Sequence, residues 1–374
     1  MSDRPSMPFI PVCSATFDGN ELAYLTQCIE TGWVSSSGAF VRKFEEAFAA
    51  EVGVAHAITA SSGTSALHLA LLALGVGPGD EVIIPALTMI ATGNAVLYTG
   101  ATPVIVDVDS KTGNIDPEAV KRAITGRTRA VFAVHLYGLP CPMDELSKLC
   151  SENGLALLED AAEAIGTTYA GKNAGGLGLA GCFSFFANKA ITTGEGGMVT
   201  TNDDDFAYRV RRLKDQWFVP EKRFFHPHVG YNYRMSNLQA AVGLAQLERV
   251  ELLVQARQTV AARYNHLLEG FSHLSTPLDT FEGGANSHWM YAVSLTSSKS
   301  GLRDGLAAYL KSEGIDSRGY FYPMNEQPAF QEFATACPAA ASLSSRGLLL
   351  PTGPTLSEEQ QQRITGRIRS FFAA

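Results

Sequence analysis

The feature that most constrains this chain is a series of short apolar segments between residues 56 and 202: "HAITA", "EVIIPA", "TPVIVDVD", "RAVFAVHLYG", "LALLED", "GCFSFFA" and "GMVTTN". Their apolar residues run almost continuously instead of alternating with polar ones. Helical stretches such as "TSALHLALLALG" and "MDELSKLCSENG" separate most of the earlier segments. A strand that is apolar on both faces must be covered on both faces, and parallel neighbours need a crossover between them. The pattern therefore predicts an α/β fold with a largely parallel sheet between helical layers. Ahead of it, "ELAYLTQCIETG" and "FVRKFEEAFAAEVG" have the spacing of amphipathic helices, joined by the turn-rich "WVSSSG".

The pattern changes after Asn237. A long helical stretch, "NLQAAVGLAQLERVELLVQARQTVAARYNHLLEG", leads into a weaker α/β region that begins near "HWMYAVSL". With 374 residues available, the expectation is a large α/β domain over residues 1–245 and a smaller C-terminal α/β domain over residues 246–374. The long helix would bridge the two, and "TFEGGAN" reads as a surface loop.

Hydrophobic residues make up 46% and charged residues 18%, enough apolar material for a sizeable core. The formal net charge of −8, with no basic run, argues against a nucleic-acid partner or an anionic membrane surface. A small anionic substrate stays open, since a pocket can be positive on an acidic protein. The six cysteines are scattered without a CxxC pair, which argues against a metal site or a disulfide framework. "MSDRPSMPFIPV" has no apolar core of a leader, and no apolar run approaches the roughly 18 residues of a membrane helix. A soluble, cytoplasmic protein with reduced thiols is expected.

Ligands of open parallel sheets bind beyond the carboxyl ends of the strands, so the strand ends are where chemistry is sought. "TASSGTSALHLAL" places Ser62, Gly63 and Thr64 where a strand hands over to a helix. Free N–H groups, hydroxyls and a close-approach glycine there suit a phosphate, and the same residues suit a simple helix cap. "LALLEDAAEAIG" ends an apolar strand on Glu159 and Asp160. A carboxylate at such a place needs a donor or a cation; a pyridinium nitrogen is one candidate, an internal ion pair another. "FSFFANKAITTGEGG" brings Ser184 and Lys189 to the end of the next strand, with a glycine-rich turn behind them. A lysine so placed can bind an aldehyde cofactor covalently. Taken in order, phosphate loop, aspartate and lysine point to pyridoxal phosphate. Asn232 and Arg234 in "GYNYRMSNLQAA" read on their own as a loop preceding a helix.

These stretches also resemble a known family, the sugar aminotransferases of the DegT/DnrJ/EryC1/StrS type. From about Ile10 to the C-terminal helix, "WVSSSGAFVRKFEEAFA", "SSGTSALHLALLALGVGPGDEVIIPALT", "VHLYGLPCPMDEL", "EDAAEAIG", "FSFFANKAITTGEGGMVTTND", "GYNYRMSNLQAAVGLAQLE" and "RGLLLPTGPTLSEEQ" occur in family order. The resemblance implies the fold type I architecture of pyridoxal-phosphate aminotransferases, with a mostly parallel mixed sheet in the large domain. It implies that Lys189 carries the cofactor, that Asp160 partners the pyridine nitrogen, and that Ser184, Gly63 and Thr64 hold the phosphate. It assigns Glu163 a place near the cofactor's phenolic oxygen. Asn232 would reach the phosphate of a neighbouring subunit, so that a homodimer shares its active sites. Met89 stands where relatives present an aromatic ring to the cofactor. Asn325 and Gly319, around "RGYFYPM", also depart from the family pattern.

Within the family, "VHLYGLPCPMD", "DAAEAIG" and "RGYFYPM" are most similar to members that aminate C4 of GDP-linked 4-keto-6-deoxymannose with L-glutamate as donor. Lipopolysaccharide O-antigen synthesis would be the setting. Arg234 and Arg318 are candidates for the pyrophosphate or a carboxylate, because a guanidinium makes bidentate contacts. His135 fits either the substrate cleft or a structural role. Trp33 and Tyr322 could border the sugar or simply pack. Rival readings are amination at C3 or C4 of a UDP- or dTDP-linked keto-sugar, a 3-dehydratase, and a cofactor-binding regulator without turnover. The dehydratases carry histidine in place of the lysine, so Lys189 argues against that one.

Overall fold

The computed structural model describes residues 8–219, 221–222 and 224–373; residues 1–7, at the start of "MSDRPSMPFIPV", lie outside them. Each apolar segment forms a strand of one sheet: β1 His56–Ala60, β2 Glu81–Pro85, β3 Thr102–Val106, β4 Thr128–Val134, β5 Ala156–Asp160, β6 Ala180–Ser184 and β7 Gly197–Thr201. Their spatial order is β1-β7-β6-β5-β4-β2-β3. The contacts β2–β3, β2–β4, β4–β5 and β5–β6 are parallel, whereas β7 runs antiparallel to both β6 and β1. The sheet is mixed and mostly parallel, as expected. The reversal at β7 has a local cause: residues 185–196 form no helix but a hydrogen-bonded turn, closed by the Phe185 N–H on the Gly196 carbonyl and the Thr193 N–H on the Phe185 carbonyl, so the chain turns back on itself.

Continuous hydrophobicity is explained by burial on both faces. Neighbouring residues alternate between the two layers, so Ile84 and Leu158 join the core beneath the helices Gly63–Leu74 and Asp204–Lys214. Ile83 and Leu157 join the opposite core, with Val120 and Leu146 from the helices Pro117–Ala123 and Met143–Glu152.

A second, wholly antiparallel sheet contains Leu274–Ser275, Tyr291–Leu295, Gly347–Leu350 and Arg318–Gly319. Its core includes Ile10 from the N-terminal segment, which pairs with Ile315. The long helical stretch after Asn237 is two helices, Asn237–Leu247 and Val250–Leu267. At the break, Glu248 accepts hydrogen bonds from Asn20 and Tyr24, and Arg249 pairs with Asp18. The second helix buries Val250 and Leu253 against the large-sheet side and Val260, Ala261 and Tyr264 in the core of the small sheet.

"TFEGGAN" is a tight hairpin rather than a loop: Thr280–Phe281 pairs with Gly284–Ala285, which continues onto Thr168. Glu282 and Gly283 both have positive φ, the requirement of a two-residue turn that matches strand twist.

Candidate active site

Strand β5 delivers two adjacent carboxylates to opposite faces. Glu159 is fully buried and accepts the N–H groups of Gly175, Leu177 and Gly178, each at 2.7 Å. His135 completes its shell. The Cys141 N–H donates to His135 Nδ1 (3.1 Å), so the imidazole proton sits on Nε2 and is donated to Glu159 Oε2 (3.0 Å). His135 has no exposure and does not line the cavity; both its ring nitrogens are taken up inside the protein, by Glu159 and by the Cys141 N–H.

Asp160 turns the other way, into a cavity of about 380 Å³. Thr92 Oγ1 donates to it at 2.8 Å and the Ala162 N–H at 3.2 Å. Burial pushes the carboxyl above its ordinary value, and these donors and the Lys189 charge offset only part of that. A buried carboxylate in this balance gains from a cation placed beside it.

The same cavity is lined by Ser62, Gly63, Thr64 and Ser184. Ser62 caps the helix Gly63–Leu74, accepting the Ser65 N–H at 3.1 Å in a reciprocal capping box. The first-turn N–H groups of that helix have no partners within it, which makes its start an anion site. The backbone approach is tight. A Cβ on Gly63 would come within 2.8 Å of the Ser184 Cβ, and one on Gly197 within 2.2 Å of the Ser62 carbonyl oxygen. Both helix-cap and phosphate-loop readings of Ser62 are compatible with this geometry.

Lys189 stands in the turn between β6 and β7, held by its N–H to the Phe186 carbonyl (2.9 Å). Its Nζ is 3.6 Å from Glu163 Oε1 and 3.7 Å from the centre of the Trp289 ring. Burial lowers its proton affinity, while Glu163 and Asp160 oppose that. Burial likewise pushes Glu163 up to about 7 against the pull of Lys189. The second oxygen of Glu163 accepts the Tyr137 N–H at 2.8 Å, fixing the carboxylate at one angle.

The other expected residues divide. Met89 is half exposed and lines the cavity, as does Arg318 from the edge of the small sheet. Trp33 and Tyr322 are 58% and 69% exposed and do not line it, nor are they core residues. Asn232 is exposed, accepts two hydrogen bonds from the Arg234 guanidinium, and lies outside this cavity; Arg234 also pairs with Asp215 at 2.9 Å. Sequence reasoning missed Thr92, Trp289 and Arg257. Arg257 is almost fully buried and donates to the Lys189 carbonyl at 3.2 Å. No local signal marks them, since each meets its partner across a separation of 68 residues or more.

These residues fit pyridoxal phosphate. A tight-backed helix start with hydroxyls suits the phosphate, and a buried carboxylate awaiting a cation suits the ring nitrogen. A lysine with lowered proton affinity suits the aldehyde.

Comparison with known proteins agrees. The model of the DegT/DnrJ/EryC1/StrS aminotransferase family matches residues 16–369. The GDP-perosamine synthase of Caulobacter vibrioides is 47% identical over 97% of this chain and 98% of its own. That of Vibrio cholerae is 44% identical over 97% and 99%. A solved structure of S. venezuelae DesV in complex with a ketimine intermediate superposes with a TM-score of 0.91 at 34% identity, covering 98% of this chain and 99% of that one.

Proposed function

Because the chain belongs to the DegT/DnrJ/EryC1/StrS aminotransferase family, we propose that it is a pyridoxal-phosphate-dependent transaminase acting as a GDP-perosamine synthase. It would move the amino group of L-glutamate to C4 of GDP-4-keto-6-deoxy-D-mannose, yielding GDP-perosamine and 2-oxoglutarate. The observation that carries this reading is the meeting of Lys189, Asp160 and Glu163 around one cavity with the Ser62–Thr64 helix start. The identity of the relatives, above 40% over nearly the whole chain, supports the choice of sugar.

Pyridoxal phosphate supplies an aldehyde that captures amines and a ring that stabilises a carbanion. The chain supplies the rest. Asp160 would hold a proton on the ring nitrogen. The helix start and Ser184 would hold the phosphate. Lys189, its amine made less basic by burial, would serve as the base that moves the proton at the amino donor's α-carbon. Glu163 holds the ammonium when the amine is charged. Arg318, on the cavity wall, is placed for an anionic part of the substrate.

Asn232, exposed and outside its own chain's cavity, supports a homodimer in which each subunit completes its partner's site. The cytoplasm and an O-antigen pathway are the proposed setting. No helix among the described residues is long and apolar enough to cross a membrane. The division into domains near residue 245 is proposed on the same footing, the helix Val250–Leu267 serving both cores.

The test is the visible spectrum of the purified protein with L-glutamate. A band near that of the bound cofactor should bleach as 2-oxoglutarate appears, and GDP-4-keto-6-deoxymannose should restore it better than UDP- or dTDP-linked keto-sugars. A band indifferent to glutamate would sink the transaminase reading; restoration by another nucleotide sugar would replace the substrate.

A further inference from the structure

Trp289 contacts the Lys189 segment twice. Its Nε1–H donates to the Asn188 carbonyl at 2.8 Å, and its ring face lies 3.7 Å from Lys189 Nζ. The residue stands two positions before the small-sheet strand Tyr291–Leu295 and is 5% exposed. Tyr137 stacks on it with ring planes 25° apart, and the N–H of that same Tyr137 fixes Glu163. The next carbonyl along, that of Lys189, is held separately by Arg257. Main chain and side-chain tip of the lysine turn are thus located by different groups, and Trp289 touches the turn at both, at the Asn188 carbonyl and at Lys189 Nζ.

We propose that Trp289 is a positioning residue for Lys189: its ring face seats the free ammonium whenever the lysine is released from the cofactor, and its N–H pins the turn that carries it. The inference rests on the proposed transaminase function, in which Lys189 is bound in one half of the cycle and released in the other. A released lysine has a long flexible stem and would otherwise spread over many rotamers. An indole face attracts a cation by its quadrupole, more strongly where water is excluded. The groups facing this ammonium are Glu163 and Asp160 from the β5 side, with Glu195 and Arg318 on the cavity wall and Arg257 and Cys13 at the main chain behind. Trp289 therefore opposes the burial that lowers the lysine's proton affinity, and does so without adding a carboxylate to Glu163 and Asp160.

The test replaces tryptophan by its mono-, di- and trifluorinated analogues, which drain the ring quadrupole while keeping shape and N–H. The other tryptophans, Trp33 and Trp217, lie outside the cavity and serve as bystanders. Each protein is loaded with pyridoxamine phosphate, which leaves Lys189 free without requiring glutamate turnover. The pH dependence of Lys189 acetylation is then read by mass spectrometry. The midpoint should fall stepwise with fluorine number, by about 0.4 to 1.5 pH units across the series. An unchanged midpoint would overturn the seat and leave Trp289 a wall residue. Because loading bypasses the amino donor, a protein that fails to turn over glutamate contradicts the proposed function and still reports on Trp289.

Discussion

At the scale of single residues, chemistry follows from which groups are denied water. Lys189→Ala should cut turnover by about two to four orders of magnitude, the range of a lost proton-transfer group. The cradle and Asp160 should still bind the cofactor, which equilibrium dialysis would show. Near-normal turnover would remove Lys189 from the mechanism. Glu163→Gln tests the other half of the pair. Glu163, raised to about 7 by burial and opposed by Lys189, favours the charged lysine when ionised. Its amide cannot, so in the half of the cycle where Lys189 is free the lysine deprotonates at lower pH, and the acid limb of the kcat/KM profile for the keto-sugar, measured on the protein loaded with pyridoxamine phosphate, should move to lower pH. A limb that stays in place or moves up would show that Lys189 is not the group titrating there.

At the scale of elements, two tight joints hold the site in place. The first is the contact of β7 with the start of the helix Gly63–Leu74. Gly197→Ala would drive a methyl into the Ser62 carbonyl, so cofactor affinity should weaken while the rest of the sheet stays paired. Unaltered affinity would mean that the joint yields easily. The second is Glu45, which ties the helix Ala39–Val52 to β1 and to the helix Asp204–Lys214. It accepts from the Thr59 N–H, from Lys214 and from Arg211, each at 2.8 Å. Burial would raise this carboxyl, but Lys214 and Arg211 outweigh it and hold it at about 2. A folded value below the unfolded one means stability that is present above the ordinary carboxyl range and lost as pH falls through about 2. Glu45→Gln should cost about 3 to 5 kcal/mol at neutral pH, since it leaves Lys214 buried without its partner. It should also flatten the stability curve between about pH 4.5 and 2, a window set by the ordinary and shifted values. Urea unfolding at several pH values would decide it.

At the scale of the whole molecule, the lysine turn is a meeting point of three distant regions. Cys13 from the N-terminal segment, Arg257 from the bridging helix and Trp289 from the small-sheet side all reach the carbonyls of Asn188 or Lys189. Proposed sharing between subunits extends this outward. If Asn232 completes the partner's site, mixing Lys189→Ala with Asn232→Ala chains and allowing exchange should regenerate about a quarter of the wild-type activity, because half the dimers carry one intact site. No recovery despite verified exchange would show that Asn232 acts within its own chain or not at all.

Much of this protein was readable from local sequence. Asp160, Lys189 and Ser62–Thr64 announce themselves because strand ends and helix starts are local events: an apolar run stops and a polar residue follows. The seven-strand sheet followed from the same segments, since a segment apolar on both faces has one economical environment. Tertiary structure decided what adjacency in sequence cannot express. Glu159 sits beside Asp160, yet the strand's alternation sends it to a closed shell of backbone donors and His135, away from the cavity. Thr92, Arg257 and Trp289 join the site only because folding brings them across separations of 68 to 101 residues. The physical reason is that periodicity records which face a side chain takes, whereas contact with a particular partner depends on how separate layers are packed together.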